Sequence, residues 1–300
     1  MSLKQYNANW PSTIPGGDQE INAAIDYIRS KIPNASLDPM RPKYHFVPPA
    51  KEMIDVWGGM YFDGGYRLFY DLNTTPQIKM GGSFVQLRSE DLIHWDQLPI
   101  ALMPSKERDE LRLNDGCVII RNDGTPLMYY TSVFTDLNKP REHVPVIGSP
   151  DMVSWKRLEG HEITLENHGG PKFRGGWSDV VFFHSQGRTF MIISKCVTED
   201  GKNQIPVYEA EDDSLLKWKY KGVFFDDTGE VINFIEVGGK WVLIYCPYGK
   251  PVWFTGTFDL VTCQTLLMHV SAPESVLGEM LRVLTPGGRL LLAEPSNLPN

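Results

Sequence analysis

The sequence predicts an all-β fold, a β-propeller followed by a short α/β segment, on three observations. The first is a short acidic loop that ends in tryptophan and recurs about every sixty residues. It reads Ser89-Glu90-Asp91-Leu92-Ile93-His94-Trp95, then Ser149-Pro150-Asp151-Met152-Val153-Ser154-Trp155, then more loosely Asp213-Ser214-Leu215-Leu216-Lys217-Trp218. The second is a tight turn feeding an alternating aromatic strand ahead of each such loop. The third is a change of grammar after Thr257, where strand, helix, glycine turn and strand follow one another.

The aromatic strands fix the repeat. Their copies are Gly64-Gly65-Tyr66-Arg67-Leu68-Phe69-Tyr70, Asp123-Gly124-Thr125-Pro126-Leu127-Met128-Tyr129-Tyr130, Gln186-Gly187-Arg188-Thr189-Phe190-Met191-Ile192-Ile193 and Gly238-Gly239-Lys240-Trp241-Val242-Leu243-Ile244-Tyr245. Asp-Gly and Gly-Gly between apolar runs are hairpin turns, because their central residues take positive φ. Hairpins recurring at this period mean four-stranded sheets repeated around an axis. A sandwich also supplies many strands, but it would not repeat the same turn, strand and tryptophan order. Ahead of the repeats, Asp18 can cap a helix running to Lys31, with Ile21, Ile25 and Ile28 as its apolar stripe. It reads as a strap on the propeller's outside.

Composition narrows the function. The net charge is −8 and the basic residues are scattered, which argues against a nucleic-acid or anionic-membrane partner. Eight Trp and twelve Tyr suit stacked sheets and also a sugar site, where C–H faces pack on rings. Cys117, Cys196, Cys246 and Cys263 lack metal-type spacing and read as free thiols. The N-terminus carries no basic-then-apolar signal region and no stretch is long enough to cross a bilayer, so the expected compartment is the cytoplasm.

Innermost propeller strands line a central funnel, and each comes first in its unit, just before the aromatic hairpin. Four such strands fall around Asp55, Asp115-Gly116-Cys117, Asp179 and Glu230. Three carry an acid at the matching place, and the other has Asp115 close by. Converging carboxyl groups suit glycosidic cleavage, which needs two of them across the sugar, one kept protonated near neutral pH.

These segments resemble the family 32 glycoside hydrolases, the invertases, levanases and inulinases. Arg41-Pro42-Lys43-Tyr44-His45-Phe46 is similar to the approach to their first motif, and Met53-Ile54-Asp55-Val56-Trp57-Gly58-Gly59 to their Met-Asn-Asp-Pro-Asn-Gly-Leu. Tyr66 to Asp71 resembles their Tyr-His-Leu-Phe-Tyr-Gln strand, and Phe84 to Trp95 their Trp-Gly-His-Ala-x-Ser-x-Asp-Leu-x-x-Trp segment. Trp177-Ser178-Asp179-Val180 sits where Arg-Asp-Pro belongs, and Glu230 where the Glu-Cys-Pro glutamate belongs.

The resemblance covers about residues 40 to 257 and implies a five-bladed type of propeller, here cut to about four blades. It implies Asp55 as nucleophile, Glu230 as general acid/base and Asp179 as the holder of sugar hydroxyls, in a retaining reaction whose two carboxyls stand about 5–5.5 Å apart. Trp57, Asp71, Phe84, Gln86, Asp115 and His45 complete the expected substrate-binding set, with a small carbohydrate as partner and neither cofactor nor metal required. Trp57 could be a sugar platform or a core ring, and His45 and Asp115 could bind substrate or bridge strands. The neighbours of the acids depart from the motifs: Asp-Val-Trp-Gly, Ser-Asp-Val and Glu-Val-Ile stand in place of Asp-Pro-Asn-Gly, Arg-Asp-Pro and Glu-Cys-Pro. That leaves open an arabinan- or xylan-active relative, or a propeller that binds sugar without cleaving it.

The expected organisation is a strap over 1–40, the glycosidase-like propeller over 41–257 and a third segment over 258–300. In the last, Phe258-Asp259-Leu260-Val261 through Leu284-Thr285-Pro286-Gly287-Gly288-Arg289-Leu290 resembles the middle of a class I S-adenosylmethionine methyltransferase. The Gly-rich loop that would hold that cofactor is not in the sequence.

Overall fold

The computed structural model describes residues 10–11, 18–41, 46–76, 82–247, 258–264, 273–282 and 284–293. The chain divides into two compact units, Met1–Tyr248 and Gly249–Asn300.

The first unit follows the repeat. Strands β1 (Met53–Phe62), β2 (Gly65–Leu72), β3 (Ser83–Ser89) and β4 (Asp96–Leu102) form one antiparallel sheet in chain order. The second is β5 (Glu110–Ile120), β6 (Pro126–Phe134), β7 (Glu142–Gly148) and β8 (Trp155–Arg157). The third is β9 (Phe173–Ser185), β10 (Arg188–Thr198), β11 (Asn203–Ala210) and β12 (Trp218–Phe225). Among the described residues the fourth repeat contributes the hairpin β13 (Gly229–Val237) and β14 (Lys240–Pro247), so the blades number three and a half. First strands lie side by side, β1 against β5, β5 against β9 and β9 against β13, which is propeller order.

The acidic loops turn each third strand into its fourth. Ser89 Oγ accepts from the Leu92 amide at 2.8 Å, and Asp91 Oδ1 from those of Ile93 and His94 at 2.9 and 2.7 Å. Asp151 and Asp212 make the same turns, accepting from the Val153 and Ser214 amides at 3.1 and 2.9 Å. This explains why the motif is acidic: a short carboxylate closes a turn on its own backbone.

Packing lies between sheets. Trp57, Phe69, Phe84 and Leu102 of the first sheet meet Leu113, Met128, Tyr130 and Val144 of the second. Ile119, Leu127 and Tyr129 of the second meet Trp177, Val180, Met191 and Ile193 of the third. The hairpin is held to the third sheet by Ile192, Ile205 and Ile232, with Phe183 edge-on to Phe234 and Trp241. Helix α1 (Gln19–Ala35) starts at Asp18, which accepts from the Glu20 and Ile21 amides, and runs four residues past Lys31 because Ile32 extends its apolar stripe. It buries Ala24, Ile25, Ile28 and Ile32 on Tyr70, Leu72, Val85, Leu87 and Ile100, the face of the first sheet turned away from the second. Cys117, Cys196 and Cys246 are free thiols among the described residues.

In the second unit β15 (Phe258–Gln264), helix α2 (Pro273–Arg282) and β16 (Leu284–Ala293) form a βαβ crossover with the two strands parallel. The expected turn at Pro286-Gly287-Gly288 lies inside β16. Pairing jumps from Phe258↔Leu284 to Leu260↔Arg289, so these residues bulge out of the ladder, with Gly287 at φ 84°.

Gly116 of β5 is hemmed in from both sheets: a Cβ there would stand 2.7 Å from the Tyr129 carbonyl oxygen of the adjacent β6 and 3.1 Å from the Trp57 ring of the first sheet. Gly116→Ala should therefore destabilise the first unit by about 1–3 kcal/mol. A urea-unfolding midpoint equal to the wild type's would show that the sheets do not meet there.

Candidate active site

Each innermost strand carries one residue too many at its acid. Between Met53↔Leu72 and Val56↔Tyr70, β1 advances three residues against two of β2, and Asp55 lies in the surplus. Between Asn114↔Thr131 and Gly116↔Tyr130, β5 advances two against one, and the extra residue is Asp115. In β9 the extra residue is Asp179, between Val180↔Ile193 and Ser178↔Ser194. In β13 the surplus follows Glu230, between Glu230↔Cys246 and Asn233↔Ile244. A bulge leaves its residue out of the ladder and re-aims the side chain. Trp177, Asp179 and Val231 accordingly sit at φ 25°, 37° and 53°, conformations that non-glycine residues rarely adopt.

The bulges open onto a cavity of about 250 Å³ lined by Asp55, Asp71, Asp115 and Glu230, together with Arg112, Arg141 and Lys195. Asp55, Asp71 and Asp115 bring one oxygen each within 4.8 Å of one another. Asp179 is 4% exposed and is gripped on both oxygens. Its Oδ1 accepts from Ser178 Oγ at 2.9 Å and lies 3.4 Å from Lys195 Nζ, and its Oδ2 accepts from the Val231 amide at 2.8 Å. The same lysine reaches Glu230 Oε1 at 3.2 Å. Three strands are thus tied through one carboxylate and one ammonium.

Crowded carboxyls resist ionisation. Burial, then Asp115 beside it, hold Asp71 well above the ordinary carboxylate range, against the Trp57 hydrogen bond that favours its ionised form. Asp115 is pushed up to about 7, by desolvation first and then by Asp179 and Asp55. Asp55 is raised by desolvation, then by Asp179, with Lys195 opposing. Asp71 thus resists ionisation more than an exposed carboxyl does, at the position where the resembling motif has Gln.

The chain matches the Glycosyl hydrolases family 32 N-terminal domain over residues 45–266. It belongs to that family. Proteins similar to it include the sucrose-6-phosphate hydrolase of Bacillus subtilis (strain 168), 27% identical over 77% of this chain and 49% of that protein. The fructan 6-exohydrolase of Beta vulgaris is 29% identical over 72% of this chain and 34% of that one. The chain spans about half the length, or less, of the relatives it matches. The structure of sucrose-6-phosphate hydrolase from Lactobacillus gasseri superposes with a TM-score of 0.63 at 23% identity, over 81% of this chain and 49% of that one, which shows the fold. The Methyltransferase domain matches residues 253–292 and overlaps the family 32 match at 253–266.

Of the expected site residues, the structure brings Asp55, Asp71, Asp115, Asp179 and Glu230 together. It does not bring Trp57, Phe84 or Gln86 to the cavity wall. Trp57 stacks on Phe69 at 4.7 Å and meets Phe84 edge-on at 4.5 Å, and its Nε1 donates to Asp71 Oδ1 at 2.8 Å. Phe84 is fully buried, and Gln86, 1% exposed, donates to the Val153 carbonyl. Both lie on β3, away from the funnel, and Trp57 faces the neighbouring sheet. His45 lies outside the described residues. Sequence reasoning missed Lys195, Arg112 and Arg141. A charge inside the apolar run Phe190 to Val197 was the available signal for Lys195.

Asp115 also yields a stability test. Its carboxyl is protonated in the folded chain up to about pH 7 but ionises near 4 when unfolded, so stability falls as pH rises from about 4 to 7. Asp115→Asn removes that loss. It should raise the melting temperature by several degrees at pH 7.5 and by little at pH 4, and a gain equal at both pH values would contradict the assignment.

Proposed function

We propose that this chain acts as a retaining glycosidase on fructosides of the sucrose and fructan type. The observation that carries the reading is that Asp55 and Glu230, from two innermost strands, line one cavity, with Asp179 of a third joined to it through Lys195. Membership of family 32, with fructoside hydrolases among the relatives, supports the substrate class.

In this mechanism Asp55 attacks the anomeric carbon of the fructosyl unit while Glu230 donates its proton to the departing glycosidic oxygen. The ester formed on Asp55 is then cleaved by water, whose proton returns to Glu230. Asp179, fixed by Ser178, Lys195 and the Val231 amide, accepts from sugar hydroxyls. Asp71 and Asp115, which burial and neighbouring carboxylates hold toward their protonated forms, can donate hydrogen bonds to the same sugar. Trp57 takes the role of a brace that orients Asp71.

The organisation we assign is a strap over 1–40, the hydrolase propeller over 41–257 and a methyltransferase-like fragment over 258–300. Cytoplasmic residence is part of the reading, supported by the free thiols. No helix among the described residues is long and apolar enough to cross a membrane.

Incubation with sucrose, inulin, levan and arabinan should release fructose from at least one of the first three. Asp55→Ala and Glu230→Gln should each lower turnover at least about 1,000-fold with the melting temperature kept. Release from arabinan alone would replace the substrate class, and full activity in Asp55→Ala would remove the nucleophile assignment.

A further inference from the structure

Lys195 touches two carboxylates of different blades, Asp179 of β9 at 3.4 Å and Glu230 of β13 at 3.2 Å. Its side chain is 12% exposed, and both of these contacts are made inside the wall of the cavity. The backbone bends to deliver it. Between Ile192↔Val207 and Cys196↔Gln204, β10 advances four residues against three of β11, and Lys195 takes a φ of 56° within that bulge. On β9 the residue before Asp179 is Ser178, so no cation adjoins that carboxylate on its own strand. The positive charge comes from the next strand.

We propose that Lys195 is the positioning residue of this site, its ammonium clamping Asp179 to Glu230 and so fixing the acid/base carboxyl opposite Asp55. This rests on the hydrolase reading above. The groups facing the clamp are Asp55 of β1, Asp71 of β2, Arg112 and Asp115 of β5, Arg141 ahead of β7, Asp179 of β9 and Glu230 of β13. Among them Lys195 stands 3.2 Å from Glu230 Oε1. When Glu230 gives up its proton to the leaving oxygen, the carboxylate that results is met by an ammonium already in place, which makes Glu230 a stronger acid. The same charge favours ionised Asp55.

The signs are therefore fixed. Without Lys195 both carboxyls hold their protons to higher pH, so both limbs of the kcat/KM profile move up. Lys195→Met should lose about 10- to 100-fold in kcat with KM changed less than about threefold, and shift each limb by about half a unit or more. Lys195→Arg should recover most of the loss, since a guanidinium can span the same two oxygens. Loss of kcat by the same factor at every pH, with both limbs unmoved, would reduce Lys195 to a structural residue and overturn the proposal.

Thermal melts show whether Lys195→Met folds, and Lys195→Gln replaces it where it does not. A carboxyl-carbon NMR titration of Glu230 in the wild type and in the variant separates this proposal from the hydrolase reading. Should the wild type cleave no fructoside, that reading fails. The clamp still stands if the Glu230 midpoint rises on removal of Lys195, and falls if the two titrations coincide.

Discussion

A regular β-strand alternates its side chains between two faces, and in a propeller both faces of an inner strand are claimed by neighbouring sheets. A third direction, into the funnel, needs a break in the alternation. One surplus residue in each of β1, β5, β9 and β13 supplies it, at or beside Asp55, Asp115, Asp179 and Glu230. The whole site depends on these breaks. They explain why left-handed non-glycine residues gather at Trp177, Asp179, Lys195 and Val231: strain is concentrated where the chain leaves its ladder. That strain is sustained by what lies behind it, such as Trp177 buried against the rings of His143, His168 and Phe173.

Bringing the acids together creates a second problem, which protons and cations solve in different places. Asp71, Asp115 and Asp55 crowd one side of the cavity, where burial makes each of them resist ionisation. On the other side Asp179 and Glu230 share Lys195. The cavity thus has a wall of carboxyls that resist ionisation and an ion-paired wall opposite. This arrangement also gives the Trp57 indole a purpose. Its hydrogen bond fixes Asp71 while its ring fills the interface of the first two sheets, where Gly116 leaves room for it.

Much of this was legible in the sequence. The repeated acidic loops and hairpins gave the blades, and the acids at matching repeat positions gave the cavity. Asp115 reads as offset from the other acids along the chain, yet the surplus residue in β5 aligns it with them, and a bulge leaves no periodic trace. Trp57, Phe84 and Gln86 were harder for a related reason. Both faces of each sheet are buried, so an aromatic next to an acid fits an intersheet core as well as a sugar platform. Lys195 was hidden because its meaning lies in two carboxylates from other blades, 16 residues upstream and 35 downstream. The α1 stripe could be read, but not the sheet face that it covers.

The least supported member of the site is the strand that carries Glu230. A two-stranded hairpin is marginal alone, and β13–β14 leaves Val231, Ile235, Val242 and Ile244 exposed on one side within the first unit. The first sheet, at the other end of the series, has its outward face covered by α1. The hairpin's hold on the third sheet includes its packing on Ile192, Ile205 and Phe183 and two polar ties among the described residues, Val231 amide to Asp179 and Glu230 to Lys195. Both ties converge on the residues that would perform the chemistry. Loosening the hairpin acts on Glu230 directly, whereas Asp55 is held through β1 and β2, whose Trp57 and Phe69 are packed in the interface of the first two sheets. Cross-blade pairing at the cavity is thus at once the means of holding the fourth repeat and the means of setting the distance on which an acid and a nucleophile depend.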